Sequence, residues 1–228
     1  MINQDTDAKN RCPRCENDYM PRIIDATANP QTAILAALNV IRDGGCVVLP
    51  TDTVYGIAAN PFNPDAVQHL LDTKRRGKDM PPPILIADAR TMFALAAEIS
   101  QPLEAVTERF WPGGLTVIVK THPALAAFAP KSATIALRVP AHRFTCDLLR
   151  ITGPLAVSSA NISGNPPATT NAAAVAQFGE QVPLYLDFDA TPGSEPSTIL
   201  DMTGATPKIL RSGVVSAKEL GEVIEIQT

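Results

Sequence analysis

Four segments of the sequence place hydroxyl, amide or cationic side chains where an apolar, strand-like run has just ended. The first is Pro50–Gly56, which reads Pro-Thr-Asp-Thr-Val-Tyr-Gly and follows the apolar run Cys46–Leu49. In open α/β sheets, ligands gather at such strand ends. These hydroxyl and carboxylate groups suit a small zwitterionic or phosphorylated ligand. A Thr/Asp turn that satisfies only its own backbone is the alternative interpretation.

The second segment is the basic cluster Lys74-Arg75-Arg76-Gly77-Lys78, at the expected C-terminal end of a helix. Lys74 and Arg76 lie two residues apart and cannot share a helical face. Beyond a helix end, however, both can reach one polyphosphate from different sides. Complementing the helix dipole is the alternative, and it explains one or two cations better than four.

The remaining two segments also favour an anionic ligand. Ser159 and Asn161 lie among small residues after the short strand Leu155–Val157, in a loop that fits phosphate oxygens as well as it fits a plain turn. Ser197-Thr198 and Arg211 form the fourth segment. Arg211 ends an expected strand, as Arg138 does. A lone arginine at a strand end usually forms a surface ion pair, but two of them together with the basic cluster indicate a site for a nucleotide or an anionic metabolite.

Several familiar kinds of active site are missing from the sequence. It contains no Walker A motif, no Gly-x-Gly-x-x-Gly after a strand and no His-Glu-x-x-His. The three histidines are scattered, and no Ser-His-Asp arrangement is apparent. Side-chain acid–base chemistry is therefore not the expected mechanism, and we expect no resident metal.

The composition is that of an ordinary globular protein. The 228 residues are 45% hydrophobic and 18% charged, with a formal net charge of −4. No apolar run approaches the ~20 residues of a membrane span, and no signal peptide is evident, so we expect a cytoplasmic protein without a membrane partner. The acidic balance argues against tight binding of nucleic acid, although weak binding of RNA through a local basic cluster stays open.

The N-terminal stretch, residues 1–20, is polar and lacks periodicity, which predicts a tail. Cys12 and Cys15 form a Cys-Pro-Arg-Cys unit in it, but a structural zinc site needs four ligands and no second pair exists. Two reduced thiols are the favoured interpretation. A metal shared across a dimer and a disulfide are the alternatives.

From residue 21 onward the apolar pattern alternates between helical and strand-like periods, which predicts one α/β domain over 21–228. Asn29-Pro30 opens a helix whose apolar face is Ile34, Leu35, Leu38 and Ile41. Further helices are predicted after Asn63, around 90–98 and 102–110, near 142–151, at 171–178 and from Ser216. Strands are predicted at 46–49, 84–86, 115–119, 134–139, 155–157, 184–187, 197–201 and 208–211.

These segments, in this order, resemble the YrdC-like family. The resemblance spans roughly residues 30 to 215 and implies a twisted, open, mixed α/β sheet with flanking helices and a concave central cavity. With its end near Thr228, the chain is similar to the short, single-domain form. The matching motifs are Pro50–Gly56, Lys74-x-Arg76, Trp111–Thr116, Leu137–Pro140, Ser159–Gly164, Ser197–Ile199 and Leu210–Gly213.

The resemblance implies an L-threonylcarbamoyladenylate synthase, which converts L-threonine, bicarbonate and ATP to threonylcarbamoyl-AMP and pyrophosphate. Mg²⁺ would accompany ATP as its substrate complex. The product would supply a separate transferase complex that modifies tRNA. The alternatives are a non-catalytic RNA- or ribosome-binding module and a carbamoyl-adenylate enzyme with a different acceptor.

Carried over motif by motif, the resemblance also implies residue roles. Lys74 and Arg76 would be catalytic and would bind the ATP phosphates. The threonine site would comprise Thr51, Thr53, Tyr55, Arg138 and Ser197. The remaining ATP-binding residues would be Thr134, Ser159, Asn161 and Arg211. The chain departs from the family at Asp52, where Glu is usual, at Leu85, where some relatives carry His, and at Pro81–Pro83.

Overall fold

The computed structural model describes residues 21–77, 81–123, 133–191, 193 and 195–227. Among them, ten strands form one mixed sheet in the order β1-β8-β2-β3-β7-β4-β6-β5-β9-β10. Four of the neighbouring pairs are parallel: β1/β8, β2/β8, β4/β6 and β5/β9. The strands are β1 Arg22–Asp25, β2 Val47–Leu49, β3 Gly56–Ala59, β4 Ile84–Leu85, β5 Leu115–Lys120, β6 Thr134–Arg138, β7 Leu155–Ser159, β8 Leu184–Asp187, β9 Thr198–Asp201 and β10 Lys208–Arg211. The mixed α/β class predicted from the sequence is confirmed.

Helices flank this sheet and bury their apolar faces in three clusters with it. One cluster joins α1 and α5 to β2 and β8, a second joins α2 and α6 to β2, β3 and β8, and the third joins α3, α4 and α7 to β5, β6 and β9. None of the helices described is long and apolar enough to cross a membrane. The helices are α1 Pro30–Arg42, α2 Pro64–Thr73, α3 Met92–Leu95, α4 Gln101–Phe110, α5 Arg143–Thr152, α6 Asn171–Phe178 and α7 Ala217–Gly221.

Local sequence signals set several helix boundaries. The Asn63 side chain accepts hydrogen bonds from the backbone N–H groups of Asp65 and Ala66 at the start of α2. Ser216 and Glu219 form a capping box at the predicted start of α7. Each of these caps satisfies backbone donors that the first turn of a helix leaves free.

The structure differs from the sequence predictions in three places. Leu35 is 59% exposed, because the buried stripe of α1 is Ala33, Ala37 and Ile41. The helix predicted around 90–98 is reduced to a 3₁₀ turn, Ala89–Thr91, followed by α3. Strands β1 and β3 were not anticipated. The Cys12/Cys15 pair and the predicted tail lie outside the described residues.

Close backbone packing near the C-terminal strands generates a stability prediction. A Cβ atom at Gly213 would lie 2.2 Å from the Pro196 carbonyl oxygen and 2.7 Å from the Thr198 nitrogen. Because these are backbone atoms, we expect Gly213→Ala to lower the free energy of unfolding by about 1–3 kcal/mol. Gly221→Ala is the control, since its Cβ would meet nothing within 4 Å. Urea unfolding of both variants is the measurement, and equal stability would contradict the packing described here.

Candidate functional site

A cavity of about 670 Å³ opens on one face of the sheet. Several lining residues are direct neighbours on adjacent strands of that face. Leu85 pairs with Arg138, Thr116 pairs with Ile199, and Ile199 pairs with Arg211. The polar lining residues are Thr51, Thr53, Tyr55, Arg76, Thr116, Thr134, Arg138, Ser158, Ser159, Ser197 and Arg211. The apolar wall is formed by Val54, Pro81, Pro83, Leu85, Ile118, Ala136, Val157, Pro196, Ile199 and Leu210, together with Gly56.

Arg138, at the end of β6, is held in place from three directions. Its Nε donates to the Gly113 carbonyl oxygen at 2.9 Å, and its terminal nitrogens donate to Thr53 Oγ1 at 3.1 Å and to Asp52 Oδ1 at 2.7 Å. The Arg138 side chain is 7% exposed and that of Asp52 is 13% exposed. Three of the five N–H donors are used in this way, and the other two are available to a ligand.

Arg211, at the end of β10, is fixed to Ser197 in a similar way. Its Nε and one terminal nitrogen donate to the Ser197 carbonyl oxygen at 3.1 and 2.7 Å, and that terminal nitrogen also contacts Ser197 Oγ at 3.1 Å. Ser197 Oγ lies 2.8 Å from Thr116 Oγ1, which is fully buried. Hydroxyl groups and a carbonyl oxygen therefore set the orientation of this guanidinium.

A turn at the end of α2 directs the two predicted cations to different places. Arg75 adopts a left-handed backbone with φ 52°, and the Arg76 N–H donates to the Leu71 carbonyl oxygen at 2.9 Å. This is the six-to-one hydrogen bond that ends many helices, with Arg75 where glycine is usual. The turn sends Arg76 to the cavity wall, while Lys74 stays buried beneath the loop after β7.

The Lys74 ammonium lies beneath Ser159 and Asn161. It donates to the Ser159 carbonyl oxygen, to the Asn161 carbonyl oxygen at 2.7 Å and to Asn161 Oδ1 at 3.3 Å. Burial, and then the positive charge of Arg76, lowers the pKa of Lys74 to about 8. The geometry places this amine behind the cavity wall, among oxygen acceptors of the protein.

Positive charge outweighs negative charge around the cavity. Burial lowers the pKa of Arg76. The pKa of Arg211 is lowered by burial first and then by the charges of Arg138 and Arg76. No Asp or Glu is among the described lining residues, and Asp52 is already paired with Arg138. An anion that enters the cavity would relieve this repulsion, which makes phosphate and carboxylate groups the ligands that fit.

Most residues predicted for the site do converge on the cavity. Thr51, Thr53, Tyr55, Arg76, Thr134, Arg138, Ser159, Ser197 and Arg211 all line it, whereas Lys74 and Asn161 lie behind the wall. The Tyr55 hydroxyl points elsewhere, because it donates to the Phe188 carbonyl oxygen at 2.7 Å. Thr51 Oγ1 donates to the Val54 carbonyl oxygen at 2.6 Å, so this hydroxyl shapes the turn.

Sequence reasoning did not predict two of the polar lining residues. Thr116 ends the Trp111–Thr116 motif and anchors Ser197, and its lone hydroxyl in the β-branched-rich strand Leu115–Lys120 was the available signal. Ser158 accepts a hydrogen bond from Arg76 at 3.3 Å. No signal in the sequence distinguished Ser158 from its neighbour Ser159.

Comparison with known proteins places these residues in one family. A family model described as "Sua5_yciO_yrdC: Telomere recombination" matches residues 39–213. A protein of Mycobacterium tuberculosis (strain H37Rv) is 42% identical over 85% of this chain and 89% of its own length. A Pyrococcus abyssi protein named threonylcarbamoyl-AMP synthase is 35% identical over 84% of this chain and 57% of its own length.

The fold has an equally clear counterpart among solved structures. The crystal structure of P. abyssi Sua5 complexed with L-threonine matches with a TM-score of 0.80 and 34% sequence identity. The match covers 85% of this chain and 58% of that one, so the present chain spans under two thirds of that protein. The resemblance noted from the sequence motifs is confirmed.

The buried pair between Asp52 and Arg138 generates the second prediction. Asp52→Asn leaves the Arg138 charge without its counter-ion, and we expect a loss of about 1–3 kcal/mol in the free energy of unfolding. Asp147→Asn is the matched control, because Asp147 and Arg150 form an exposed pair with side chains 45% and 56% exposed. The control should lose at most about 0.5 kcal/mol. Urea denaturation measures both, and equal losses would contradict the assigned role of Asp52.

Proposed function

The chain belongs to the Sua5/YciO/YrdC family, and from that membership we propose that it is a threonylcarbamoyl-AMP synthase. It converts L-threonine, bicarbonate and ATP to threonylcarbamoyl-AMP and pyrophosphate. One observation carries the proposal: every described residue that lines the arginine-rich cavity lies within residues 39–213, the range that the family model matches. The P. abyssi relatives with this activity in their name and with bound L-threonine support the same conclusion.

The reaction suits a site that is rich in arginine and hydroxyl groups. The threonine amine and CO₂, which bicarbonate supplies, form a carbamate and release a proton. A carbamate oxygen then bonds to the α-phosphorus of ATP, while the bond from that phosphorus to the β-bridging oxygen breaks and pyrophosphate leaves. The nucleophile is already an anion, so this step requires alignment and charge neutralisation more than a strong base.

The threonine end of the cavity is assigned to the surroundings of Arg138. The two N–H groups of Arg138 that are free of protein acceptors match the two oxygens of a carboxylate. Thr53 Oγ1, which contacts this guanidinium, and the Ser197 hydroxyl supply polar contacts nearby. Tyr55 contributes its ring to the wall, since its hydroxyl is engaged at Phe188.

The nucleotide end is assigned to Arg76, Arg211, Thr134 and the Ser158–Ser159 wall. These groups donate to phosphate oxygens or add positive charge near them. The described residues contain no group of three or more His, Cys, Asp or Glu side chains able to hold a metal ion. We propose that Mg²⁺ enters as part of the Mg–ATP substrate, where it would neutralise the departing pyrophosphate.

The wider setting of the reaction follows from its product. Threonylcarbamoyl-AMP is a mixed anhydride that loses its acyl group to water, so a walled cavity protects it until transfer. We infer that a separate transferase complex receives it and modifies tRNA, in the cytoplasm. Direct contact between tRNA and this chain would be weak, since its net charge is −4.

Pyrophosphate release tests the proposed function directly. With ATP and Mg²⁺, release is expected only when L-threonine and bicarbonate are both present, and serine should support it poorly. A coupled phosphate assay after pyrophosphatase treatment measures the rate. Absence of release from protein that circular dichroism shows to be folded would overturn the proposal.

Two arginine variants should separate the two ends of the cavity. Arg138→Ala removes the carboxylate partner and is expected to raise the KM for threonine by about 30- to 150-fold. Arg76→Ala should instead raise the KM for ATP and leave that for threonine nearly unchanged, because Arg76 contacts Ser158 at the nucleotide end. Steady-state kinetics with each substrate varied in turn gives both values. Equal effects of either variant on the two KM values would contradict the division.

A further inference from the structure

Lys74 has no hydrogen-bond donor left to offer a ligand. An ammonium group has three N–H donors. Those of Lys74 go to the Ser159 carbonyl oxygen, the Asn161 carbonyl oxygen and Asn161 Oδ1. The residue is 2% exposed and is absent from the cavity lining. A phosphate could contact this amine only if the hydrogen bonds from Lys74 to Ser159 and Asn161 were broken.

The loop that Lys74 holds is closed by its own hydrogen bonds. Asn161 Oδ1 also accepts from Ser159 Oγ at 2.6 Å. Asn161 Nδ2 donates to the carbonyl oxygens of Ile162 and Asn165 at 3.0 and 2.8 Å. The Ser163 N–H donates to the Lys74 carbonyl oxygen at 2.9 Å. Lys74 therefore contacts both ends of the turn: its side chain binds Ser159 and Asn161, and its backbone carbonyl oxygen binds Ser163.

Arg76, two residues further on, is in the opposite situation. Its guanidinium lines the cavity and, among the described residues, makes one hydrogen bond, from a terminal nitrogen to Ser158 Oγ at 3.3 Å. Its Nε is buried and has no partner among the described residues. Buried donors without a protein partner usually bind ordered water or a ligand. The second terminal nitrogen of Arg76 makes no hydrogen bond among the described residues, so an oxygen anion in the cavity can bind it without breaking an existing contact.

We propose that Lys74 serves the nucleotide site as a positioning residue that holds the Ser159–Asn161 loop, while Arg76 is the cation of this segment that contacts phosphate. The inference rests on the proposed function, because it requires a nucleotide in the cavity. It separates two residues that the sequence motif groups together. Lys74 positions the loop that forms the cavity wall, and Arg76 contacts the phosphate of the ligand.

The two roles differ in how a substitution affects a series of nucleotides. Loss of a residue that positions the loop should weaken the binding of AMP, ADP and ATP by one common factor, since the cavity wall is distorted for all three. Loss of a direct contact to the β- or γ-phosphate should weaken the binding of ATP most and that of AMP least. We expect Lys74→Met to raise the Kd of all three nucleotides by the same factor. Arg76→Met should raise the Kd of ATP most, by about tenfold or more.

Isothermal titration of the full chain with AMP, ADP and Mg–ATP tests this difference. Lys218→Met is the control, since Lys218 is an exposed lysine of α7 and should bind as the wild type does. A loss for Lys74→Met that grows from AMP to ATP would overturn the inference alone. Failure of the wild-type protein to bind any of the three would instead overturn the proposed function.

Hydrogen exchange of the ligand-free protein supplies a readout that a direct phosphate contact would not change. The amides of residues 159–163 should exchange faster in Lys74→Met than in Arg76→Met or Lys218→Met. Unchanged exchange there would contradict the loop-holding role. If Lys74→Met does not fold, Lys74→Gln takes its place, because its amide still donates two hydrogen bonds and should restore part of the protection.

Discussion

In the part of the chain that the structure describes, four cationic side chains lie at or just behind one cavity, and only Arg138 among them is paired with a carboxylate, that of Asp52. Arg138 has this counter-ion, whereas Arg211 and Lys74 are held largely by backbone carbonyl oxygens. Carbonyl dipoles orient a cation and replace part of its lost hydration, but they do not cancel its charge. The site thus keeps an excess of positive charge that an anionic substrate can neutralise. Much of the surrounding structure serves to hold these cations in place despite their mutual repulsion.

The sheet supplies the fixed frame for those carbonyl groups. Gly113 lies in the turn before β5, Ser197 directly precedes β9, and Ser159 ends β7, so each acceptor is fixed by a strand end. Close backbone packing at Gly213 brings the turn after β10 against Pro196 and Ser197. Small shifts in these turns would move the guanidinium groups relative to one another. The position of the anionic substrate therefore depends on backbone packing more than on side-chain flexibility.

The backbone conformation of the turn after α2 gives the two cations of the Lys74-x-Arg76 motif different positions. Arg75 accepts a left-handed conformation, which costs a non-glycine residue of order 1 kcal/mol. In return, the chain reverses and presents Arg76 to the cavity, while Lys74 remains on the helix end beneath the loop after β7. The motif Lys-x-Arg places two positive charges close together, and the turn places them on opposite sides of one wall.

The sequence by itself determined the local elements and the chemical character of the site. The caps at Asn63 and Ser216 and the β-branched-rich run Leu115–Val119 act within a few residues, so their signals are readable without the fold. The strand-end hydroxyls and arginines indicated an anion site for the same reason, and the family motifs indicated the reaction. Tertiary structure alone decided the pairing of Asp52 with Arg138, the Tyr55 hydroxyl at Phe188 and the burial of Lys74. These contacts join residues 85 to 133 positions apart, and hydrophobicity does not report which of two neighbouring polar groups will turn inward. Leu35 illustrates the same limit, since the smaller Ala33 and Ala37 let α1 pack closely against the sheet and left the larger side chain outside.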